Sequence, residues 1–268
     1  MDKFFIITND SKDPEFATTH RIKTFIEEKG KECKLASEAT PEGTDCILVL
    51  GGDGTLIRAA REYHSYGIPI LGINMGTLGY LAEVEIHSME EALLQLMDGN
   101  VMTESRMMLR GSLGQDVSDL ALNDIVISRL GALRIIEFNI YVNGELLNTY
   151  QADGVIISTP TGSTGYNLSA GGPIVEPTAS MIVITPICSH ALNTRSIVLS
   201  AEDEIVVEIG TGRDGSIQEA GLSFDGDRNI KVHTGDRIEI RKAEDTAKLL
   251  KLSRVSFLET LRKKMKGN

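Results

Sequence analysis

The spacing of apolar positions changes character along the chain. Over the first hundred residues, short apolar runs alternate with amphipathic stretches. "KFFIIT" predicts a strand. "DPEFATTHRIKTFIEEKG" predicts a helix, with Asp13 as cap, Pro14 in the first turn and Gly30 at the end; Phe16, Ile22, Phe25 and Ile26 share its apolar face. "CILVL" is continuously apolar, the pattern of a strand covered on both faces. A helix near 55–65, a strand in "IPILGIN" and a helix in "MEEALLQLMDG", capped by Ser88 and closed by Gly99, follow. Strand–helix alternation of this kind predicts a parallel α/β sheet with right-handed crossovers.

From about residue 101 the period falls to two. "RIIEFNIYVNGELLNTYQADGVIIS" alternates, with Asn143-Gly144 placed for a tight hairpin. Five further short alternating segments reach to residue 243, interrupted by one helix near 163–170. The closing "VSFLETLRKKMKGN" returns to a helical pattern whose basic end suits the negative pole of a helix. The expected organisation is an α/β domain over 1–100, a β-rich domain over 101–252, and a terminal helix over 253–268.

Composition narrows the class. The 268 residues, 41% apolar and 24% charged, are those of a globular chain with room for one large or two medium domains. A net charge of −11 argues against a nucleic-acid partner, which needs a positive surface. No apolar run approaches the ~20 residues that cross a bilayer, so no membrane partner is expected. Cys33, Cys46 and Cys188 are odd in number and form no CxxC pair, and the start carries no signal-peptide apolar region; the expected location is the cytoplasm. None of the five histidines has metal-ligand spacing with another histidine or a cysteine.

Three segments carry candidate chemistry. In "LVLGGDGTLIRAAR" a buried strand turns into a helix through Gly51, Gly52 and Gly54, with Asp53 among them. Glycines there let a ligand approach closely, and the amides of the helix start favour an anion. Asp53 reads either as a helix cap or as a carboxylate placed to take a proton from an attacking hydroxyl. "DGVIISTPTGSTGYNLSAGGPIV" follows a strand with Thr159, Thr161, Ser163 and Thr164, hydroxyls able to cradle phosphate or sugar, and with Tyr166, able to lie against a nucleoside. In "LALNDIVIS" the polar pair Asn123-Asp124 interrupts an apolar strand; a carboxylate can accept from both hydroxyls of a ribose and an amide adds a donor and an acceptor.

Taken in order, "LGGDGTLIRAAR", "GINMGTLGYLAEV", "LNDIVIS", "DGVIISTPTGSTGYNLSAGGPIV" and "FDGD" resemble the NAD kinase family over most of the chain. The resemblance implies transfer of the ATP γ-phosphate to the 2′-hydroxyl of the adenosine ribose of NAD, giving NADP, with Mg²⁺ or another divalent cation. It implies a Rossmann-like parallel α/β N-terminal domain, an all-β C-terminal domain, and a C-terminal helix packing back on the first. It implies a homodimer or homotetramer. By motif position it makes Asp53 the general base. Gly54, Tyr80, Asn123, Asp124, Thr161, Thr164, Tyr166 and Ser169 fall on the NAD side, with Asp153 contributed by an adjoining subunit. Gly51, Gly52, Gly54, Thr55, Arg58, Asp225 and Gly226 fall on the phosphate side, and the metal ligands are left open. Two positions depart from the family pattern: Asp124 stands where Glu is common and Gly165 where Ala is common. "GGDGT" is shared with lipid kinases, and a nucleotide sensor without turnover would also use the binding loops; product formation separates these readings.

Overall fold

The computed structural model describes every residue except 77–78, 132–134, 191–193, 213, 228, 253–254 and 266–268. Two compact units divide the chain. One comprises Met1–Arg106 with Thr246–Asn268, the other Met107–Asp245. The sequence placed the changes of unit near 100 and 252. Both fall instead inside long strands, Met102–Leu113 and Arg237–Lys251, whose apolar alternation runs through the change and gives no punctuation there.

The first unit is built on β1 (Lys3–Thr8), β2 (Glu32–Leu35), β3 (Cys46–Gly51), β4 (Ile70–Asn74) and the short β5 (Val84–Glu85), with helices α1 (Ala17–Glu28), α2 (Asp53–Tyr63) and α3 (Met89–Met97). All strand pairings among them are parallel, in the order β2-β1-β3-β4-β5. Every residue of β3 is buried, as its unbroken apolar run predicts. Ile22 and Ile26 of α1 and Leu93 and Leu96 of α3 close one apolar cluster with Phe4, Leu48 and Leu71.

Two helix starts differ from expectation. Asp13 and Pro14 precede α1 rather than open it: Phe16 takes a left-handed conformation, φ 54°, and the helix begins at Ala17. Asp13 still serves the helix end from a distance, its carboxylate accepting from the amides of Thr18 (3.2 Å) and Thr19 (2.9 Å). Ser88 stands at the α3 boundary, yet its hydroxyl donates backward to the Glu85 carbonyl instead of capping. Gly30 and Gly99 close α1 and α3 with positive φ, as read from the sequence.

The second unit contains β6 (Met102–Leu113), β7 (Val117–Ala121), β8 (Asp124–Arg129), β9 (Ile136–Val142), β10 (Glu145–Ala152), β11 (Gly154–Ser158), α4 (Tyr166–Ser169), β12 (Met181–Ile187), β13 (Ile197–Ser200), β14 (Ile205–Ile209), β15 (Glu219–Phe224), β16 (Ile230–His233) and the first half of β17 (Arg237–Lys251). One antiparallel sheet runs β13-β12-β11-β8-β15-β16. A second joins β10, β9, β14 and β17. Alternate residues of both, among them Ile125, Ile127, Val155, Ile157, Phe138, Ile140, Val207 and Ile238, bury into one core. Asn143 and Gly144, both with positive φ, make the tight β9–β10 hairpin that their dipeptide predicts. The terminal helix α5 (Phe257–Met265) belongs to the first unit; residues 253–254 and 266–268 of its expected span lie outside the described residues.

Candidate active site

In the first unit β3 and β4 end side by side, Gly51 opposite Asn74. This carboxyl edge of a parallel sheet is where α/β folds bind ligands. Gly51 closes β3 and Gly52 is the extended residue before α2, so Asp53 is the first helical residue. Its carboxylate makes no cap bond to its own helix. It turns to the loop after β4 and accepts three successive main-chain amides, from Tyr80 at 2.6 Å, Leu81 at 3.1 Å and Ala82 at 3.2 Å. Asn74 starts that loop, its side chain bonded to both the amide and the carbonyl of Gly76. Thr77 and Leu78 of the "GINMGTLGYLAEV" segment lie outside the described residues. Gly79 is required by contact: a Cβ there would stand 1.9–2.3 Å from the Asp53 carboxyl atoms. Around Gly52 and Gly54 such an atom would meet nothing within 4 Å, so the turn presents open backbone. Thr55 is buried and accepts from the Asn9 amide at 2.9 Å, while Arg58 is exposed on α2. Tyr80 is half-buried, with the Lys264 ammonium of α5 5.1 Å from its ring centre.

In the second unit Asn123 and Asp124 stand at the start of β8. The Asn123 carbonyl accepts from the amide of Thr159 at 2.8 Å, and the Leu122 carbonyl from the Thr159 hydroxyl at 2.6 Å. The Asn123 side-chain Oδ1 is buried and has no hydrogen-bond partner among the described residues. Gly162 passes directly over this strand start; a Cβ there would fall 2.1 Å from the Asn123 carbonyl oxygen. Asp124 is 5% exposed. Burial, then the negative charge of Asp225, push its carboxyl up to about 7. Asp225 itself, φ 51° beside Gly226 at φ 71°, turns its carboxylate onto the amides of Leu122, Asn123 and Asp124 at 2.8, 2.7 and 3.0 Å.

The hydroxyls of the 159–164 turn divide into two pairs. Thr159 and Ser163 are fully buried and bond the main chain of Leu122, Gly162 and Val175, so they shape the turn rather than face a ligand. Thr161 is buried at the head of the turn, and Thr164 reaches the Thr161 carbonyl only at 3.4 Å. Tyr166, 47% exposed, opens α4, and Ser169 is exposed at its end.

Asp153 lies elsewhere. The register pairs Ser158 with Asp124 at one end of β11 and Gly154 with Ser128 at the other. At ~3.4 Å per residue, Asp153 is about 17 Å along the strand from Asp124. There it forms an ion pair with Arg129 at 3.0 Å. A cavity of ≈ 840 Å³ opens at this end, lined by Arg129, Glu137, Gln151, Ile217 and His233 among others.

Sequence reasoning missed Arg129 and the amides of 80–82. The first carries no motif, and main-chain donors leave no trace in side-chain letters. Two thiols are held in the neutral form: burial drives Cys33 up to about 12 and Cys46 higher still. Among the described residues no helix is long and apolar enough to cross a membrane.

A carboxylate fixed beside an open glycine turn in one unit, and a buried amide–acid pair beneath a threonine turn in the other, offer groups that suit a phosphotransferase acting on a nucleotide. Comparison with known proteins makes that class specific. Residues 5–101 match the ATP-NAD kinase N-terminal domain and residues 122–252 the ATP-NAD kinase C-terminal domain. A relative named NAD kinase from Lachnospira eligens is 47% identical, covering 99% of this chain and 100% of its own, and one from Agathobacter rectalis is 49% identical over 100% and 99%. Among solved structures, an NAD kinase from Archaeoglobus fulgidus in complex with ATP superposes with a TM-score of 0.80 at 26% identity, covering 98% of both chains. A yeast NADH kinase complexed with NADH shares the fold at the same TM-score and 23% identity, covering 100% of this chain and 88% of its own. The chain belongs to the NAD kinase family.

Proposed function

We propose that the chain transfers the γ-phosphoryl group of ATP to the 2′-hydroxyl of the adenosine ribose of NAD, giving NADP and ADP, with Asp53 as general base. The observation that carries this reading is the posture of Asp53. An ionised carboxylate offers about four lone-pair sites. Oδ1 takes the amides of Leu81 and Ala82, and Oδ2 takes that of Tyr80, leaving one lone pair on Oδ2. That lone pair accepts the hydroxyl proton as the ribose oxygen forms its bond to phosphorus and the bond to the ADP oxygen breaks.

The other residues divide by chemistry. Asp124 accepts from a ribose diol, and the unpartnered Oδ1 of Asn123 takes a ligand hydroxyl or amine. Thr161, Thr164, Tyr166, Ser169 and Tyr80 line the adenine and ribose. Gly51, Gly52, Gly54 and Gly226 leave room for phosphates, which the α2 amides and Arg58 receive, while Thr55 holds the turn through Asn9. Among the described residues no three carboxylate, histidine or cysteine side chains gather as a metal cage. Mg²⁺ needs none, because it keeps several waters and binds through substrate phosphates and one or two carboxylates. Mg²⁺ or another divalent cation, held chiefly by the phosphates of ATP, would supply neutralisation of their charge. The working form is a homodimer or homotetramer, in the cytoplasm, with Asp153 acting in a neighbour's site.

A coupled assay with NAD, ATP and Mg²⁺, reading NADP through an NADP-specific dehydrogenase, tests the reaction. Asp53→Asn is expected to keep NAD affinity and lose turnover by ~10²–10⁴-fold. Unchanged kcat removes Asp53 from the mechanism. Phosphorylation of a lipid alone, or nucleotide binding without product, removes the NAD kinase reading.

A further inference from the structure

Asp53 and Asp225 use the same device in separate units: each carboxylate accepts three consecutive main-chain amides, Asp53 from 80–82 and Asp225 from 122–124. Successive amides pointing one way form an anion-binding nest. In the second unit the anion is the chain's own. Asp225 lies about a hundred residues from the strand it holds, in a left-handed conformation that only a minority of non-glycine residues adopt. Its own amide donates to the Asp124 carbonyl at 2.9 Å, so Asp225 and Asp124 are bonded reciprocally. These bonds extend the β8–β15 ladder beyond Phe224–Ile125, its last paired position at that end.

We propose that Asp225 is a positioning residue for the nucleotide's ribose. Its carboxylate fixes the main chain of Leu122, Asn123 and Asp124, and so aims the Asn123 amide and the Asp124 carboxylate at the sugar. This rests on the ribose role given to that pair under the proposed function. It assigns Asp225 a task different from the phosphate contact its motif implies. The same geometry couples the two acids. After burial, the Asp225 charge favours the protonated form of Asp124, in which one oxygen carries a proton and accepts less well from a ribose diol.

The test compares Asp225→Ala and Asp225→Asn with the unaltered full-length chain. Asp225→Ala removes all three bonds and is expected to raise KM for NAD roughly tenfold or more while leaving KM for ATP within about twofold. Asp225→Asn retains an oxygen for the amides of Asn123 and Asp124 but loses the charge. Its KM for NAD should rise less, and the acid limb of kcat/KM for NAD should move to lower pH, because Asp124 then ionises more readily. A role confined to stability would lower the melting temperature and leave that limb in place. The proposal is overturned by a folded Asp225→Asn with unchanged KM for NAD and an unmoved limb, or by a rise in KM for ATP instead. If Asp225→Ala does not fold, Asp225→Asn decides. Asp124→Asn with unchanged NAD affinity would instead sink the ribose reading, whatever the Asp225 variants show.

Discussion

At the scale of one residue, the turn that holds Asp53 depends on an atom that is absent. Asp53 can lie against the 79–82 backbone only because Gly79 has no Cβ. Gly79→Ala would push the carboxylate off its three amides, since the obstacle is short and attached to main chain. The expected result is a fall in kcat of about 10²-fold with NAD affinity nearly unchanged, read in the coupled assay and by calorimetry. Asp124 gives the opposite lesson, a side chain that costs stability where it sits. Its carboxyl is raised from 3.8 to about 7 by burial and by Asp225, so the folded chain binds a proton that the unfolded chain releases between those pH values. Stability from this group therefore falls as pH rises from about 4 through 7. Asp124→Asn removes the buried charge and should raise the melting temperature at pH 8 by a few degrees while weakening NAD binding. A melting temperature at pH 8 equal to or below that of the unaltered chain would contradict the assignment. Both acids were legible in the sequence because a carboxylate in a glycine turn or an apolar strand is conspicuous. The amides that hold Asp53 and Asp225 were not, since 80–82 and 122–124 act through atoms every residue shares.

At the scale of elements, hydrophobic period located the main helices and most strands but not β2, β5, β6 or β7, and boundaries followed local hydrogen bonds the period does not encode. Helix α1 is the instructive case. The sequence predicts Asp13 as its cap, directly before a first turn opened by Pro14. Instead it reaches forward across a left-handed Phe16 to Thr18 and Thr19. Burial raises the Asp13 carboxyl, but its bonds to the Thr19 amide and hydroxyl and to the amides of Thr18 and Ala17 outweigh that and lower it below 3.8. A lowered carboxylate stabilises above its unfolded pKa and loses that contribution as pH falls through the folded one. Asp13→Ala should cost about 1 kcal/mol at pH 7, as loss of a helix cap does. The difference from the unaltered chain should shrink below about pH 4 as the unaltered carboxylate takes up its proton. Urea unfolding at pH 7 and pH 3 measures both; an equal difference at the two pH values would refute the cap.

At the scale of the whole molecule, one expected site residue lies far from the Asn123–Asp124 pair of its own unit. Asp153 is separated from Asp124 by the length of β11, and Arg129 holds it at the far end. Nothing in the letters around Asp153 sets that distance; it comes from the antiparallel register, which only the folded sheet fixes. Under the proposed function, a residue about 17 Å from the pair it is expected to help serves that chemistry from another copy. This makes a sharp test of assembly. Asp53→Asn and Asp153→Ala should each be nearly inactive as homo-oligomers. Produced together, they form hybrids in which one site takes Asp53 from the Asp153→Ala chain and Asp153 from the Asp53→Asn chain. With random pairing about half of the dimers are hybrid and each carries one intact site, so about a quarter of the unaltered activity should return. If Asp153 served its own chain's Asp53, every site in the mixture would carry one lesion and no activity would return. Sizing of the mixed sample by light scattering makes the result independent of expression level, since a monomer with restored turnover would contradict the shared site as decisively as no restoration at all.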